Sequence, residues 1–321
     1  MKEHKYISST ASLGEIYSKA FYLLKSKSMY YILIVLAFTV LTEGIKSISN
    51  LITNYTGSEI EGISSIAAII TTLAFIIVSF LPILLEFMKW ATIIHNMSAS
   101  IIDENNDTET SIKFTINNIK RWLKFSLYTV FLVLTVTLGF LFIGAIIFNA
   151  LPPAYLVIFI IVAFIVILPV ISIFIPTILF KNLSYAIAIK RAFQVLKATS
   201  YVRGIIVFFI PVIIYSILTV LLVITFFGMD YFSMDLTEQA NIVQNINFGI
   251  HSIFTILLSI VFQVYLIALS VVYTLSVFKD YDKMESSDIE EMIRTNLDFP
   301  IVRNEDNTED SNVDETDEKD K

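Results

Sequence analysis

The longest uncharged stretch of the chain is the feature that most restricts its fold. No Asp, Glu, Lys or Arg occurs between Lys124 and Lys181, a run of 56 residues. A helix that crosses the hydrocarbon core of a bilayer needs about 20 apolar residues. The run is therefore long enough for two crossings. Pro152 and Pro153 lie near its middle, where a helix cannot continue. We predict two membrane-spanning helices here, joined by a short turn.

The rest of the chain follows the same pattern. It is 56% hydrophobic and only 16% charged, whereas about a quarter of the residues of a soluble domain are charged. Six apolar segments are each long enough to cross a bilayer with some tilt: residues 29–51, 63–88, 125–148, 155–180, 204–229 and 250–278. We therefore predict an all-α fold, a polytopic membrane helical bundle with six transmembrane helices within residues 29–279.

Two polar segments flank this predicted membrane domain. Residues 1–28 have the composition of an amphipathic segment at the membrane surface. Residues 280–321 are acidic, and Val313 is the one apolar residue of the stretch 304–321. Such a composition cannot bury enough apolar surface to fold. The C-terminal tail is predicted to be largely disordered, with a short helix over 286–296.

The distribution of positive charge predicts the orientation of the spans. The chain has 22 Lys and Arg residues, and all but Lys46 precede the first span or follow the second, fourth or sixth. Positive residues are retained on the cytoplasmic side of a membrane. We therefore predict a multi-pass protein of the cytoplasmic membrane with both termini in the cytoplasm.

A weak internal repeat lies in the segments before three of the spans. Residues 12–25 and 184–197 align at a constant offset of 172 positions, and residues 111–124 align with them more loosely. The identical pairs are Ser12 and Ser184, Ala20 and Ala192, Phe21 and Phe193, Leu24 and Leu196, and Lys25 and Lys197. The alignment predicts three copies of one unit, an amphipathic helix followed by a helical hairpin in the membrane.

The first and third of these amphipathic segments are candidate interaction sites. Their rings, leucines and cations are Phe21, Leu24, Lys25, Lys190, Arg191, Phe193, Leu196 and Lys197. Two interpretations remain open. The apolar side chains lie in lipid with the cations toward anionic headgroups, or the helices pack beneath the bundle and connect its hairpins.

Two acidic residues fall within predicted spans. Glu43 and Glu86 are each followed three residues later by a lysine, Lys46 and Lys89. That spacing on a helix favours an ion pair. Carboxylates at membrane depth are also costly and are often functional. If both instead faced the interior of the bundle, they would line a path for a proton or a cation.

The sequence offers little for catalysis. Cysteine is absent, and the three histidines, His4, His95 and His251, are far apart and belong to no H-E-x-x-H pattern. Neither a Walker A loop nor a G-x-G-x-x-G loop occurs. We expect no enzymatic activity, no metal ion, no cofactor and no nucleic-acid partner.

A family resemblance covers roughly residues 12–278. The run from Pro176 through Ser184, Ala188, Arg191 and Leu196 into the next span resembles the membrane domain found beside some bacterial glycerophosphodiester phosphodiesterases. It also resembles the six-span bacterial YciC-like proteins. The resemblance implies six spans, a repeated helix-plus-hairpin plan and a bacterial inner membrane. It carries no catalytic residue to this chain, because the phosphodiesterase activity of the fused relatives lies in a separate soluble barrel.

Two functional hypotheses follow. The first is a non-catalytic scaffold or accessory factor whose partners are the lipid bilayer and another membrane protein or complex. The alternative is a component of a transporter or channel for a small solute or ion, with Glu43 and Glu86 on the path.

Overall fold

The computed structural model describes residues 12–57, 65–102, 107–148, 153–198, 200–228, 234–235 and 250–299. Within these ranges it forms ten α-helices and no strand. In chain order they are α1 (Leu13–Ser26), α2 (Ser28–Gly57), α3 (Ser65–Ile101), α4 (Thr108–Asn117), α5 (Ile119–Phe148), α6 (Pro153–Lys181), α7 (Tyr185–Ala198), α8 (Tyr201–Phe227), α9 (Ile250–Tyr281) and α10 (Ser286–Asn296). The predicted all-α fold is confirmed for the described residues.

Short and long helices alternate in a regular order. The short helices α1, α4 and α7 each precede a pair of long helices, and only one or two residues separate each from the first helix of its pair. The first and third short helices both have 14 residues. Their bounds differ by the same 172 positions that relate the two sequence segments. Helices α1 and α7 therefore lie where the sequence alignment placed them, whereas the more loosely aligned segment 111–124 runs across the end of α4 and the start of α5.

Several long helices are apolar enough to cross a membrane. Among the described residues three segments qualify, Ser28–Ile48, Tyr201–Phe227 and Ile253–Tyr281. A fourth is counted if Ile165–Lys181 and Tyr185–Ala198, bent by 116° at the break between them, form one broken span. These helices indicate a membrane protein. Large parts of the predicted spans 63–88 and 125–148 lie outside the residues whose side chains are described.

The second helices of the three pairs form the centre of the bundle. Helices α3, α6 and α9 contact one another. The first helices pack outside them, with α2 against α3 and α9, α5 against α3, and α8 against α6 and α9. The described side chains of the central helices are mostly buried apolar residues, such as Ile173, Val264 and Ile267. The central helices therefore form a closely packed apolar core.

The short helices close this arrangement into a ring. Helix α4 packs on α3, α7 packs on α6, and α1 packs on α9. Each short helix thus contacts the central helix of the preceding pair, and the first short helix contacts that of the last pair. The buried face of α1 consists of Ile16, Ala20 and Leu23. The equivalent residues of α7, which are also buried, are Ala188, Ala192 and Val195.

Hydroxyl groups compensate for prolines inside two long helices. Proline has no N–H and leaves the carbonyl four residues earlier without its helical donor. Pro211 leaves the carbonyl of Val207 in this state, and the Tyr17 hydroxyl donates to that oxygen at 3.2 Å. Ser270 of α9 donates in the same way to the carbonyl of Ser172, four residues before the α6 proline at position 176. Contacts between helices therefore satisfy carbonyls that these prolines leave without a helical donor.

Side chains also cap the helices at one end of the bundle. We call this end the basic end, and it consists of α1, α4, α7, α10 and the C-termini of α3, α6 and α9. Arg121 Nη2 donates to the carbonyl of Ile178 at 3.1 Å, Asn296 donates to that of Phe180 at 2.8 Å, and Arg294 donates to that of Ile102 at 3.3 Å. Terminal carbonyls of a helix lack partners within it, so these bonds fix the basic end.

The C-terminal segment differs from its prediction. Residues 280–299 were expected to belong to a largely disordered tail, but α10 packs against α6 and α9. Ile289, Met292 and Ile293 form a buried apolar face on this helix, and Glu285 and Asp288 form a capping box at its start. The predicted helix over 286–296 is confirmed. Residues 300–321 lie outside the described part of the chain.

Candidate functional site

A basic cleft lies where the start of α5 meets the turn between α6 and α7. Its volume is about 600 Å³. Lys120, Arg121 and Lys124 line one side of it. The opposite side consists of Asn182, Leu183, Ser184, Tyr185 and Ala186. The cleft therefore lies between a cationic turn of one helix and the first turn of the next amphipathic helix.

The backbone of the α6–α7 turn gives this cleft its shape. Asn182 has a φ of 48°, and the Leu183 N–H donates to the carbonyl of Ile178 at 3.2 Å. This is the pattern of a Schellman motif, which ends a helix through a left-handed residue. Arg121 Nη2 donates to the same Ile178 carbonyl and to that of Leu183. The turn and the start of α5 are held together, so the cleft is preformed.

The cations of the cleft have no acidic partner among the described residues. Arg121 lies over the ring of Phe125 at 5.6 Å, and Lys124 lies over that of Tyr128 at 5.8 Å. Some other cations of the basic end are paired, as Lys19 is with Glu15 and Lys113 with Glu109. The cleft consequently concentrates positive charge that no described carboxylate neutralises.

An apolar groove occupies the corresponding place beside the first short helix. It has a volume of about 450 Å³ and lies between α1, α8 and α9. Tyr17 and Phe21 line it from α1, and the stacked rings of Tyr215 and Phe262, 4.2 Å apart, line it from α8 and α9. Like the basic cleft, it lies between a short helix and the preceding pair of long helices. The two differ in chemistry, since the groove lining contains no charged residue.

An ion-pair cluster joins the C-terminal ends of α6 and α9 to the middle of α7. Asp282 accepts from Lys181 at 3.1 Å and also from Arg191. Arg191 lies over the ring of Tyr281, 4.7 Å from its centre, and Lys181 lies over that of Phe278. These side chains are only 19–25% exposed. The cluster ties the consecutive helices α6 and α7 to the end of α9, about 90 residues further along the chain.

A buried histidine lies at the junction of α3, α4 and the residues that follow α10. His95 is 2% exposed, and its ring stacks between Phe114 and Phe299 at centroid distances of 4.3 and 4.4 Å. The Nδ1 atom is 3.1 Å from the Ser111 hydroxyl, and a ring N–H donates to the carbonyl of Leu297. Burial lowers the pKa of His95 from 6.5 to about 4, although the bond to Leu297 opposes this shift. The ring is therefore neutral at pH 7.

The two acids of the predicted spans both form short-range ion pairs. Glu43 and Lys46 are 2.6 Å apart on α2, with side chains 62% and 54% exposed. Glu86 and Lys89 are also 2.6 Å apart, and Lys89 donates to Gln263 of α9 at 2.9 Å. The Glu86 side chain is 51% exposed and Lys89 only 5%. The lysine, rather than the acid, is the buried member of this pair.

The predicted amphipathic sites divide between the core and the surface. Phe21 and Phe193 are about half exposed, whereas Leu196 is fully buried. Leu24 is partly buried against the core. Of the four candidate cations in these segments, Lys25, Lys190 and Lys197 are exposed, and Arg191 binds Asp282. Each helix thus combines packing beneath the bundle with exposed rings and cations.

The basic cleft was not predicted as a site from the sequence. Lys120, Arg121 and Lys124 were counted only as markers of orientation. A usable signal was present, because three cations fall within five residues beside Trp122 and Phe125. The sequence does not reveal the opposite side of the cleft, which lies about 60 residues further along the chain.

No group of His, Cys, Asp and Glu residues in the described part of the chain has the arrangement of a metal site.

No family model, curated protein or solved structure matches the chain. The resemblance to glycerophosphodiester phosphodiesterase membrane domains and YciC-like proteins therefore rests on the sequence motif alone.

Proposed function

We propose that the chain is a non-catalytic, six-span scaffold or accessory protein of the bacterial cytoplasmic membrane. Its basic end faces the cytoplasm, and both termini lie on that side. It assists another membrane protein or complex and is organised as three units, each with a short amphipathic helix and a membrane hairpin. The observation that carries the proposal is the ring in which each short helix packs on the central helix of the preceding pair.

The composition of the centre supports a structural role. Several buried hydroxyl groups on the central helices bond to backbone carbonyls, as Thr177 does with Ile173, Ser276 with Val272, and Ser270 with Ser172. Hydroxyls engaged in this way stabilise helix packing. In the described part of the bundle, the apolar groove lies between α1, α8 and α9, and the basic cleft lies between α5 and the α6–α7 turn.

The transporter alternative receives less support from the same contacts. A path through the bundle requires Glu43 and Glu86 to face its interior, and both carboxylates are more than half exposed beside their lysines. We therefore interpret the two ion pairs as neutralising charge near the membrane surface. Removing either carboxylate leaves a lysine without its acidic partner, although Lys89 keeps its bond to Gln263, and changes no conducting path.

A flux measurement distinguishes the two functions. The full chain and the variants Glu43→Gln and Glu86→Gln are reconstituted in vesicles, and proton and potassium fluxes are followed with dyes. We expect the wild type and both variants to match protein-free vesicles. A flux above that background that Glu86→Gln abolishes would contradict the scaffold and support the transporter. Inward and outward insertion are both sampled, because reconstitution gives mixed orientations.

A further inference from the structure

We propose that the basic cleft at the start of α5 is a binding site for the phosphate of an anionic phospholipid in the cytoplasmic leaflet. Lys120, Arg121 and Lys124 supply the positive charge. The inference depends on the proposed function in one respect: the proposed topology places the basic end, and with it the cleft, on the cytoplasmic side of the membrane. A soluble phosphate ester has the same anionic group, and the experiment below distinguishes the two sources.

The unneutralised charge of the cleft is the first observation behind this inference. Lys120 and Lys124 lie on one turn of α5 with Arg121 beside them, and none of the three pairs with a carboxylate in the described part of the chain. Guanidinium and ammonium groups are the side chains that bind phosphate most strongly. In contrast, Asp282 holds both Lys181 and Arg191 on the other side of α6. Three cations that pair with no carboxylate in the described part of the chain therefore lie together in the cleft.

The shape of the cleft is the second observation. Its volume of about 600 Å³ lies in the range of about 300 to 1,000 Å³ found for small-molecule sites. Tyr185 and Ala186 contribute the first turn of α7, and N–H groups in the first turn of a helix have no acceptor within it. The Schellman turn and the bond from Arg121 to the carbonyl of Ile178 hold this first turn beside the lysines, so the cleft exists before a ligand binds.

The position of the cleft favours a lipid over a soluble ligand. Phe125 and Tyr128 continue its lining along α5 toward the predicted third span, residues 125–148. Aromatic rings of this kind lie at the headgroup level of a bilayer. Basic pockets between membrane helices on the cytoplasmic side are known to hold anionic headgroups. The ring of Tyr128 and the apolar surface above it would contact the acyl chains of the bound lipid.

Lipid binding to the purified full chain in detergent tests the proposal, with phosphatidylglycerol and phosphatidylcholine as probes and native mass spectrometry as the measurement. The test variant is Lys120→Gln with Lys124→Gln. Arg121 is left in place because it caps α6. The matched control is Lys190→Gln with Lys197→Gln, which removes the same charge from exposed positions of α7. Equal melting temperatures establish that both variants are folded.

We expect the cleft variant to bind phosphatidylglycerol about 30-fold more weakly, at about 5-fold per lysine. The α7 control should lose less than about 3-fold, and phosphatidylcholine binding should not change. Equal losses in the two variants, or no loss in either, would overturn the proposal. Displacement of phosphatidylglycerol by a modest excess of inorganic phosphate would overturn the lipid assignment in favour of a soluble ester. Lipid binding in detergent depends neither on the topology of the chain in a membrane nor on transport. A negative result here is therefore distinguishable from a negative result of the flux or topology measurement.

Discussion

Replacement of Gly204 by Leu is expected to destabilise the bundle by about 3 kcal/mol and to lower the yield of folded protein sharply. Gly204 is buried near the start of α8, where this helix passes close to α6, α7 and α9. A Cβ at this position would lie 2.8 Å from Leu196 Cδ2, 3.3 Å from Pro169 Cβ and 3.3 Å from the Tyr273 hydroxyl. Small residues permit such close approach of membrane helices, and a leucine must force them apart.

The matched control is Gly44→Leu on α2, where a Cβ meets no atom within 4 Å. Both changes add the same side chain to a helix, so a difference between them reports packing alone. The measurement is thermal stability of the purified protein by size-exclusion chromatography with fluorescence detection. Equal stability of the two variants would show that α8 does not approach the central helices at Gly204.

A second comparison identifies the contact responsible. Gly204→Ala should cost about 1 to 2 kcal/mol, and shortening Leu196 to Val should recover part of this loss, because the nearest atom belongs to Leu196. The double variant should therefore be more stable than the sum of the single effects indicates. If the effects of the two single substitutions simply add, the strain at position 204 does not arise from the contact with Leu196.

Acidification is expected to remove about 3 kcal/mol of stability through His95. The pKa of this histidine is about 4 in the folded protein against 6.5 for an unperturbed ring. The unfolded chain therefore binds more protons than the folded chain between these values. The contribution of His95 is fully present above pH 6.5 and is lost progressively as the pH falls toward 4. Protonation would also place a cation between the rings of Phe114 and Phe299.

The variant His95→Gln isolates this effect from the titration of carboxylates and of the other histidines. We expect it to be less stable than the wild type at pH 7.5, since it loses the stacked ring. Its stability should fall less between pH 7.5 and 5 than that of the wild type. The free energy of unfolding at each pH is the measurement. Parallel pH profiles for the two proteins would contradict a buried neutral His95.

Local features of the fold were predictable from the sequence, whereas the contacts between distant elements were not. The apolar spacing of α1 and α7 was sufficient to place both helices, because each buries one face. Periodicity does not determine which helix a face packs against. The bond from Tyr17 to Val207 joins residues 190 positions apart. That contact depends on how the whole bundle closes.

Charge illustrates the same limit. The prediction that Glu43 and Glu86 pair with lysines three residues away needed only helical spacing, and both pairs are present. The sequence left open whether Arg191 faces headgroups or belongs to a helix packed beneath the bundle, and the structure pairs it with Asp282, 91 positions away. Helix α10 was predicted, yet its packing depends on Asn296 reaching the end of α6. Pairing at long range follows from tertiary structure and leaves no periodic signal.

Accessibility of single cysteines to an impermeant thiol reagent in intact cells tests the six-span arrangement most directly. The natural chain contains no cysteine, so the background is clean. Cysteines in place of Thr56, Ala154 and Glu238 lie in the three predicted outer connections, whereas ones in place of Asn106 and Asp306 lie on the cytoplasmic side. We expect the first three to react from outside and the last two to react only after the cells are lysed. Labelling of Asn106→Cys or Asp306→Cys in intact cells, or protection of Ala154→Cys, would contradict the proposed arrangement, in which three membrane hairpins each begin and end on the cytoplasmic side.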